Sequence, residues 1–542
     1  MPITNARTQV GIVGAGPGGL AAAILIAAKG LSVRVYEAQP TLGGRTARIQ
    51  LDDYSFDTGP TFFLMPYVLE EIFAAAGESL AKHVPMTRLD PMYRLVMGRQ
   101  DADPITLDTT QRVSEMARRI GAIEPRDAAA FERFILDNRT KLRLMEPILR
   151  NPMRNPTDLL RVGPLTDLAR VGLMLNPHLS VHQLLEKYFQ NEHVRLAVCF
   201  QSKYLGMSPY DCPSLFTILP FIEYEYGVWH PRGGCNALIH ALAKVARKIG
   251  VEIVTGSPVS AIEFDGARAK ALRVGQGTGS PLSGQRIEHD HIVLNADAAW
   301  ALKNLIPAEA RARAGNEYAD GTLDTMRYSC STFMMYLGVE GSVDLPHHTI
   351  YTSAKYRENL NDISVNGTLS KDPSVYVCNP SRTDPTLAPT GHSSLYVLVP
   401  TPNCKPPNSS GQPGIDWSRE RAEFRERALD QISTKLGLRD LRTRIRAEKI
   451  ITPADWQASN IQFGATFNLA HNLGQMLHKR PQNKLRGFDN VYLVGGGTHP
   501  GSGLPTIFLS AQISAAMLGE AAGVKSSTAP SRLGAMADPV PV

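Results

Sequence analysis

The chain has 542 residues, 57 Lys and Arg against 51 Asp and Glu (net charge +6), and a 43% hydrophobic content, with a mean hydropathy of -0.15. That length exceeds one ordinary core, so interleaved domains are expected, and the mild positive charge permits attraction to an anionic membrane surface. No dense Lys/Arg stripe with interleaved aromatics is present, which speaks against a nucleic-acid partner, and the six scattered cysteines (Cys199, Cys212, Cys235, Cys330, Cys378, Cys404) show no CxxC pair and no histidine at metal spacing, which implies a reduced compartment and no metal.

In chain order, the β-branched run Val10 to Val13 reads as a buried strand that opens a GxGxxG turn. Gly14 makes the tight turn, with Ala15 in it; Gly16 lets the backbone approach a pyrophosphate; Gly18 and Gly19 begin a helix, and Gly19 allows close helix-sheet packing. The helix N-terminus directs its amides at the phosphates. Val33 to Glu37 is a second strand, and Glu37, eighteen residues beyond Gly19, can accept from both ribose hydroxyls of an adenosine, which favours FAD or NAD over NADP. Gly43, Gly44 and Arg45 then tilt the choice to a flavin, because a second glycine pair followed by a cation can wrap the far side of a pyrophosphate. The uncharged stretch Val10 to Ala28 is long enough to suggest a membrane span, but its glycines and Pro17 fall where a strand-turn-helix needs them. No other apolar stretch is long enough to cross a bilayer, so any membrane contact is expected to be peripheral.

Tyr54 to Phe63 reads as a strand that re-enters the sheet and exits through Gly59, Pro60 and Thr61 near the cofactor. Residues 67 to 220 read as mostly helical, with proline-broken joints, and form a substrate-side cap. Within this region, Arg139 to Arg170 carries seven Lys/Arg against three Asp/Glu, interleaved with aliphatic residues. The stretch suits either a helix pair lying on anionic lipid or the solvated basic face of an ordinary helical domain. Gly227 to Gly234 leads into a helix over 236–249, strands over 251–255 and 259–264, and a further strand from His291 to Asp297, all returning to the nucleotide-binding domain. Segments 331–338 and 394–399 predict a second sheet flooring a substrate cavity. Near the end, a strand at 490–494 runs into a second glycine-rich turn (Gly495 to Gly503) and a closing helix over 506–522; the Ser/Pro/Ala-rich tail from Lys525 reads as disordered.

On GAGPGGLAAAILIAAKG, EAQPTLGGR, YGVWHPRGG, NPSRTDPTLAPTG and LVGGGTHPGSGLPTIFLSAQISAAML, the chain resembles the bacterial phytoene desaturase type of carotenoid desaturases and oxidases, within the flavin amine oxidase-like group, over residues 9 to 520. The resemblance implies an α/β fold: a Rossmann-like FAD-binding domain of the two-dinucleotide-binding flavoprotein type, interleaved with a mixed-sheet substrate domain and a helical, membrane-facing cap. The FAD-binding domain would comprise residues 8–75, 228–300 and 451–524, the helical cap 76–227 and the substrate sheet 301–450, with the tail at 525–542. The resemblance also puts Gly14, Gly16, Gly19, Glu37 and Arg45 on the FAD adenosine and pyrophosphate, Gly59 to Thr61 beside the flavin ring, and Val259 on the adenine through its backbone. It places Gly496, Gly497, Thr498, Gly503 and Leu504 along the ribityl chain and ring. Where Gly496 stands, the wider flavin group often has an acid, so contacts there should be mostly backbone.

The implied activity is desaturation of a linear C30 or C40 isoprenoid, with oxidation of a carotenoid end group as the neighbouring alternative. An amine oxidase and a non-catalytic isoprenoid escort are more distant ones. The setting it implies is cytoplasmic, on the inner face of the cell membrane, with oxygen or a quinone reoxidising the flavin. A hydrocarbon substrate offers no hydrogen-bonding handle, so an apolar tunnel is expected; Phe62, Phe63, Leu64, Met65, Phe216, Ile218, Phe221, Met334 and Met335 are the candidate lining. For proton removal Glu225 and His499 are the catalytic candidates, with Glu223 and the pair His347 and His348 as further ones.

Overall fold

The computed structural model describes residues 8–161, 176–277, 279–406 and 414–524. At its centre is a five-stranded parallel sheet in the order Val491–Leu493, His291–Leu294, Gln9–Val13, Ser32–Tyr36 and Glu252–Val254. Val10 and Ile12 are fully buried there, as the β-branched run requires of a strand covered on both faces. The helix Pro17–Ala27 is apolar all round and packs against helices Cys235–Lys248 and Leu504–Ala521 as well as the sheet. A helix of that composition must be enclosed, by lipid or by protein. Here protein encloses it, which is why the uncharged stretch need not span a membrane. Among the described residues no helix is long and apolar enough to cross one.

Two further sheets flank this layer. Strands Val259–Asp265, Arg268–Val274 and Arg286–Glu288 form a three-stranded antiparallel sheet, whose core continues through Ala298–Leu305. A seven-stranded sheet runs in the order Ile445–Ile451, Ser331–Val339, Ser393–Thr401, Val375–Cys378, His348–Thr352, Arg94–Arg99 and Ala102–Asp108. Its second strand, Ser331–Val339, is buried on both faces. Phe333, Met335 and Leu337 pack toward helix Trp417–Lys435, while Met334 and Tyr336 face Tyr54 and Phe56.

That alternation corrects the proposed tunnel lining: neighbours in a strand point to opposite faces, so Met334 and Met335 cannot wall one cavity. Phe63, Met65, Ile218 and Phe221 are core residues too, whereas Phe62, Leu64 and Phe216 are half-buried. Two further expectations change. Tyr54–Asp57 does not re-enter the parallel sheet but pairs with Arg48–Leu51 as a hairpin. The cap region opens on helix Pro66–Ala75 as expected but is then interrupted, because Met86–Arg88, Arg94–Arg99 and Ala102–Asp108 are strands, the last two extending the seven-stranded sheet. Helix follows at Val113–Gly121 and Pro125–Arg150.

The basic stretch is largely neutralised within the protein. Arg139 pairs with Glu225, Arg150 with Glu71 and Glu146, and Arg154 and Arg161 flank Asp158. Lys141 is buried and donates to Thr217 Oγ1 at 2.8 Å. Residues 162–170 of that stretch and the tail from Lys525 lie outside the described residues.

Candidate active site

The first turn is packed too tightly for side chains. Gly14 has φ +100°, and a Cβ on Gly19 would stand 2.0 Å from the Gly14 carbonyl oxygen. Asn295, at the end of the neighbouring parallel strand, fills the space behind the turn: Cβ atoms on Gly14, Gly16, Gly18 or Gly19 would each come within 3.1 Å of it. Its Nδ2 donates to the Val494 carbonyl at 3.0 Å, which ties the first glycine turn to the last strand.

Glu37 is 5% exposed. Its Oε2 accepts from Ala15 N–H at 2.8 Å and its Oε1 from Gln39 N–H at 2.9 Å. Burial pushes its carboxyl up, against the lowering pull of those amides. The segment leading to Val259 is fastened to the same residue, with Ser257 N–H donating to the Glu37 carbonyl at 2.7 Å.

The Gly43-Gly44-Arg45 turn lies directly on the first glycine turn. Gly43 N–H donates to the Ala15 carbonyl at 3.1 Å, and Gly16 Cα is what a Cβ on Gly44 would meet, at 3.9 Å. Arg45 points inward and donates to the Thr466 carbonyl at 2.9 Å. The Asn468 amide, oriented by the donors and acceptors around it, accepts from Arg45 Nη1 and Nη2 at 2.9 and 3.0 Å and donates to Asp297 Oδ2 at 2.6 Å. Burial lowers the pKa of Arg45 and raises that of Asp297, while each charge opposes the shift of the other.

Gly59 stands against Arg45, leaving only 2.4 Å between a Cβ and the Arg45 carbonyl oxygen. Beyond Pro60, Thr61 Oγ1 shares a 2.6 Å hydrogen bond with Tyr376. Asp57, just before this turn, caps the helix of the YGVWHPRGG segment by accepting from Cys235 and Asn236 N–H, each at 2.8 Å; burial raises its carboxyl to about 6. Thus four stretches far apart in sequence meet at one place.

The second glycine turn completes it. A Cβ on Gly496 would press on Asn468 and Ser502, and one on Gly497 would stand 2.4 Å from Ala298 Cβ. Thr498 Oγ1 donates to the Pro481 carbonyl at 2.6 Å. Gly503, at φ +109°, precedes helix Leu504–Ala521, and no side chain caps either this helix or Pro17–Ala27. Both helix N-termini therefore keep amides free for an anionic ligand. Beneath Gly496 lies Arg480, fully buried, donating to the carbonyls of Leu469, Ala470, Gln475 and Gly496 at 2.7 to 3.3 Å. Burial lowers its pKa to about 9.

Asn295, Asp297, Asn468 and Arg480 were not among the residues singled out from sequence. Asn295 and Asp297 stood visibly at a strand end, where sites form in open α/β sheets; Asn468 and Arg480 carry no local signal.

The acid-base candidates separate clearly. Glu225 is ion-paired with Arg139 at 2.8 Å. His499 lies 3.0 Å from the Ile148 carbonyl through Nε2; a carbonyl only accepts, so Nε2 carries the proton, and burial lowers the imidazole to about 4. Glu223 is fully buried and accepts from Tyr204 at 2.7 Å, Tyr93 at 2.8 Å and Gln201 at 3.1 Å. Burial raises it to about 7 against those hydrogen bonds. The Tyr204 ring packs on Phe62, beside Thr61, at 5.4 Å between centroids.

A glycine-walled cradle at the carboxyl ends of a parallel sheet, with a buried acid just past the second strand, defines a dinucleotide-binding site. The family described as flavin containing amine oxidoreductase matches residues 17–518. The chain is 39% identical over 510 residues to a 4,4'-diapophytoene desaturase (4,4'-diapolycopene-forming) from Methylomonas sp, covering 94% of each chain. It is 38% identical over 518 residues to an all-trans-zeta-carotene desaturase of Myxococcus xanthus, covering 94% of this chain and 93% of that one. Among solved structures, an oxidoreductase from Methanosarcina mazei shares the fold with a TM-score of 0.61 at 15% identity, covering 94% of this chain and 99% of that one. The chain belongs to the flavin-containing amine oxidoreductase family and is an FAD-dependent oxidoreductase.

Proposed function

We propose that this protein is an FAD-dependent desaturase of a linear C30 or C40 isoprenoid, a colourless carotenoid precursor of the phytoene or diapophytoene kind. The observation that carries this reading is the 39% identity, end to end, with a diapophytoene desaturase.

The cradle fits FAD on its own geometry, since tight glycine packing and two uncapped helix ends leave room and donors for a pyrophosphate. We place the adenosine ribose on Glu37, which holds the Ala15 amide, the adenine beside the Val259 backbone, and the pyrophosphate on the amides of Gly16, Gly18 and Gly19, closed over by Gly44 and Arg45. The ring and ribityl chain fall to Gly59, Pro60 and Thr61 on one side and to Gly496, Gly497, Thr498, Gly503 and Leu504 on the other. Bound there, FAD supplies the hydride acceptor that such a reaction needs.

The protein's own part is to align an apolar chain, keep water out and accept a proton from the neighbouring carbon. For the proton the geometry favours Glu223 over Glu225 and His499. Its partners Tyr93, Tyr204 and Gln201 are neutral and burial raises its carboxyl to about 7, whereas the Glu225 carboxylate is paired with the Arg139 cation and the His499 imidazole is clasped to the end of helix Pro125–Arg150. Half-buried Phe62, Leu64 and Phe216 are the remaining lining candidates.

Such a substrate dissolves in membrane, so we infer that the enzyme works peripherally on the inner face of the cell membrane, with oxygen or a quinone reoxidising the flavin. Exposed Leu136 and Leu160, with exposed Arg143 on the same helix as Leu136, support that placement. Co-expression with a colourless precursor tests the reading: loss of hydrogen pairs and absorption moving into the visible support it, and an unchanged precursor contradicts it.

A further inference from the structure

We propose that His347, His348 and Cys378 form a buried site for a divalent transition metal, Zn2+ by their chemistry. One ring nitrogen of each histidine and Cys378 Sγ all lie within 4.8 Å of one another. The grouping arises from register: His348 and Cys378 are directly opposed partners in the antiparallel pair His348–Thr352 and Val375–Cys378, and His347 is the residue just before. The sequence expectation of no metal rested on local spacing, which cannot see ligands gathered by strand pairing.

The independent sign of a ligand is a set of buried nitrogens with nothing to bind. His347 Nδ1 is held by Thr383 Oγ1 at 2.7 Å and His348 Nδ1 by the Tyr376 hydroxyl at 2.8 Å. The opposite nitrogen, Nε2, of each ring is buried without a hydrogen-bond partner. When Nδ1 carries the proton and donates, Nε2 presents a bare lone pair; this is how outer partners orient metal-binding histidines. A buried polar atom left without a partner is costly, so such atoms are rare unless something binds them. His230 packs on His347 with centroids 4.6 Å apart, and its Nε2 stands 3.6 Å from Asp384 Oδ2. The region thus collects three imidazoles, a thiol and a carboxylate in the interior.

Two imidazoles and a thiolate match the borderline-soft preference of Zn2+, with metal-ligand distances of about 2.0 to 2.3 Å, so the side chains must draw in by roughly 1 Å on binding. Binding releases the Cys378 proton to solvent and forms a zinc-thiolate bond, with no change in oxidation state. Through Tyr376 and Thr61 the site would brace the turn at Gly59 to Thr61.

The test uses the flavin-loaded protein. Elemental analysis should find about one zinc per chain as isolated, and after chelation and dialysis Co2+ should bind with a thiolate-to-cobalt charge-transfer band. In His348→Gln and Cys378→Ser, metal content per folded chain should fall about tenfold or more, and the band should vanish in Cys378→Ser. Wild-type protein that holds no zinc and gives no thiolate-to-cobalt band overturns the proposal, as does full metal retention in both variants. Should the variants fail to fold, the wild-type cobalt spectrum decides: a thiolate-to-cobalt band supports the site, and its absence overturns it.

Discussion

The Ala15 amide donates to Glu37 Oε2 at 2.8 Å, so the first glycine turn and the end of the second strand hold each other in place before any ligand arrives. Glu37→Ala removes that acceptor and the partner of Gln39 N–H together. Loss of hydrogen bonds to a charged group predicts FAD retention weaker by about 10- to 100-fold. Flavin absorbance after gel filtration, set against the wild type, checks this.

Gly19→Ala puts a methyl group where only 2.0 Å is free before the Gly14 carbonyl oxygen. Backbone must move, at a cost of about 1–3 kcal/mol. The unfolding midpoint and the flavin content should fall together.

If Glu223 accepts the proton, the rate rises as its carboxyl ionises through about pH 7. Glu223→Gln should lower turnover by about 100-fold or more and remove that rising limb. Glu225→Gln, which breaks an ion pair with Arg139, should keep the limb. The pH profiles of the two variants distinguish them.

Acid should destabilise the fold through buried imidazoles. His499 and His289 each titrate near 4 in the folded protein against an ordinary value of 6.5. Between those values the unfolded chain binds more protons, so stability present above pH 6.5 is lost as pH falls toward 4. Thermal unfolding followed from pH 7 to pH 4.5 should show a falling midpoint, with a shallower slope in His499→Gln.

Arg480→Met would strand the carbonyls of Leu469, Ala470 and Gln475, and leave that of Gly496 only Ser502 Oγ at 3.3 Å. Buried acceptors left unpaired cost about 1–3 kcal/mol each, so this variant should lose most of its folded yield, measured by circular dichroism and soluble expression.

The parts of the site that sequence makes legible are those whose backbone must do something no side chain permits. Gly14, Gly16 and Gly19 announce a turn, and Glu37 closes the strand after it; Gly43 and Gly44 then prove to lie against Gly16. Arg480 and Asn468 act through contacts between segments, so nothing near them in the chain marks their role. Strands Met86–Arg88 and Arg94–Arg99 escaped because runs of three and six residues are too short for a twofold period to stand out from a helical one. Ser331–Val339 was legible as a strand, yet its burial on both faces erased the alternation that tells one wall from the other, and so Met334 and Met335 looked equivalent.

The most direct measurement is the mass and absorption spectrum of the hydrocarbon recovered after the purified, flavin-loaded protein acts on a colourless C30 or C40 precursor in vesicles with an electron acceptor. Successive losses of two hydrogens, with absorption moving into the visible, are the predicted result. An unchanged precursor, together with aldehyde or acid products from an already conjugated polyene, would contradict desaturation and establish end-group oxidation instead.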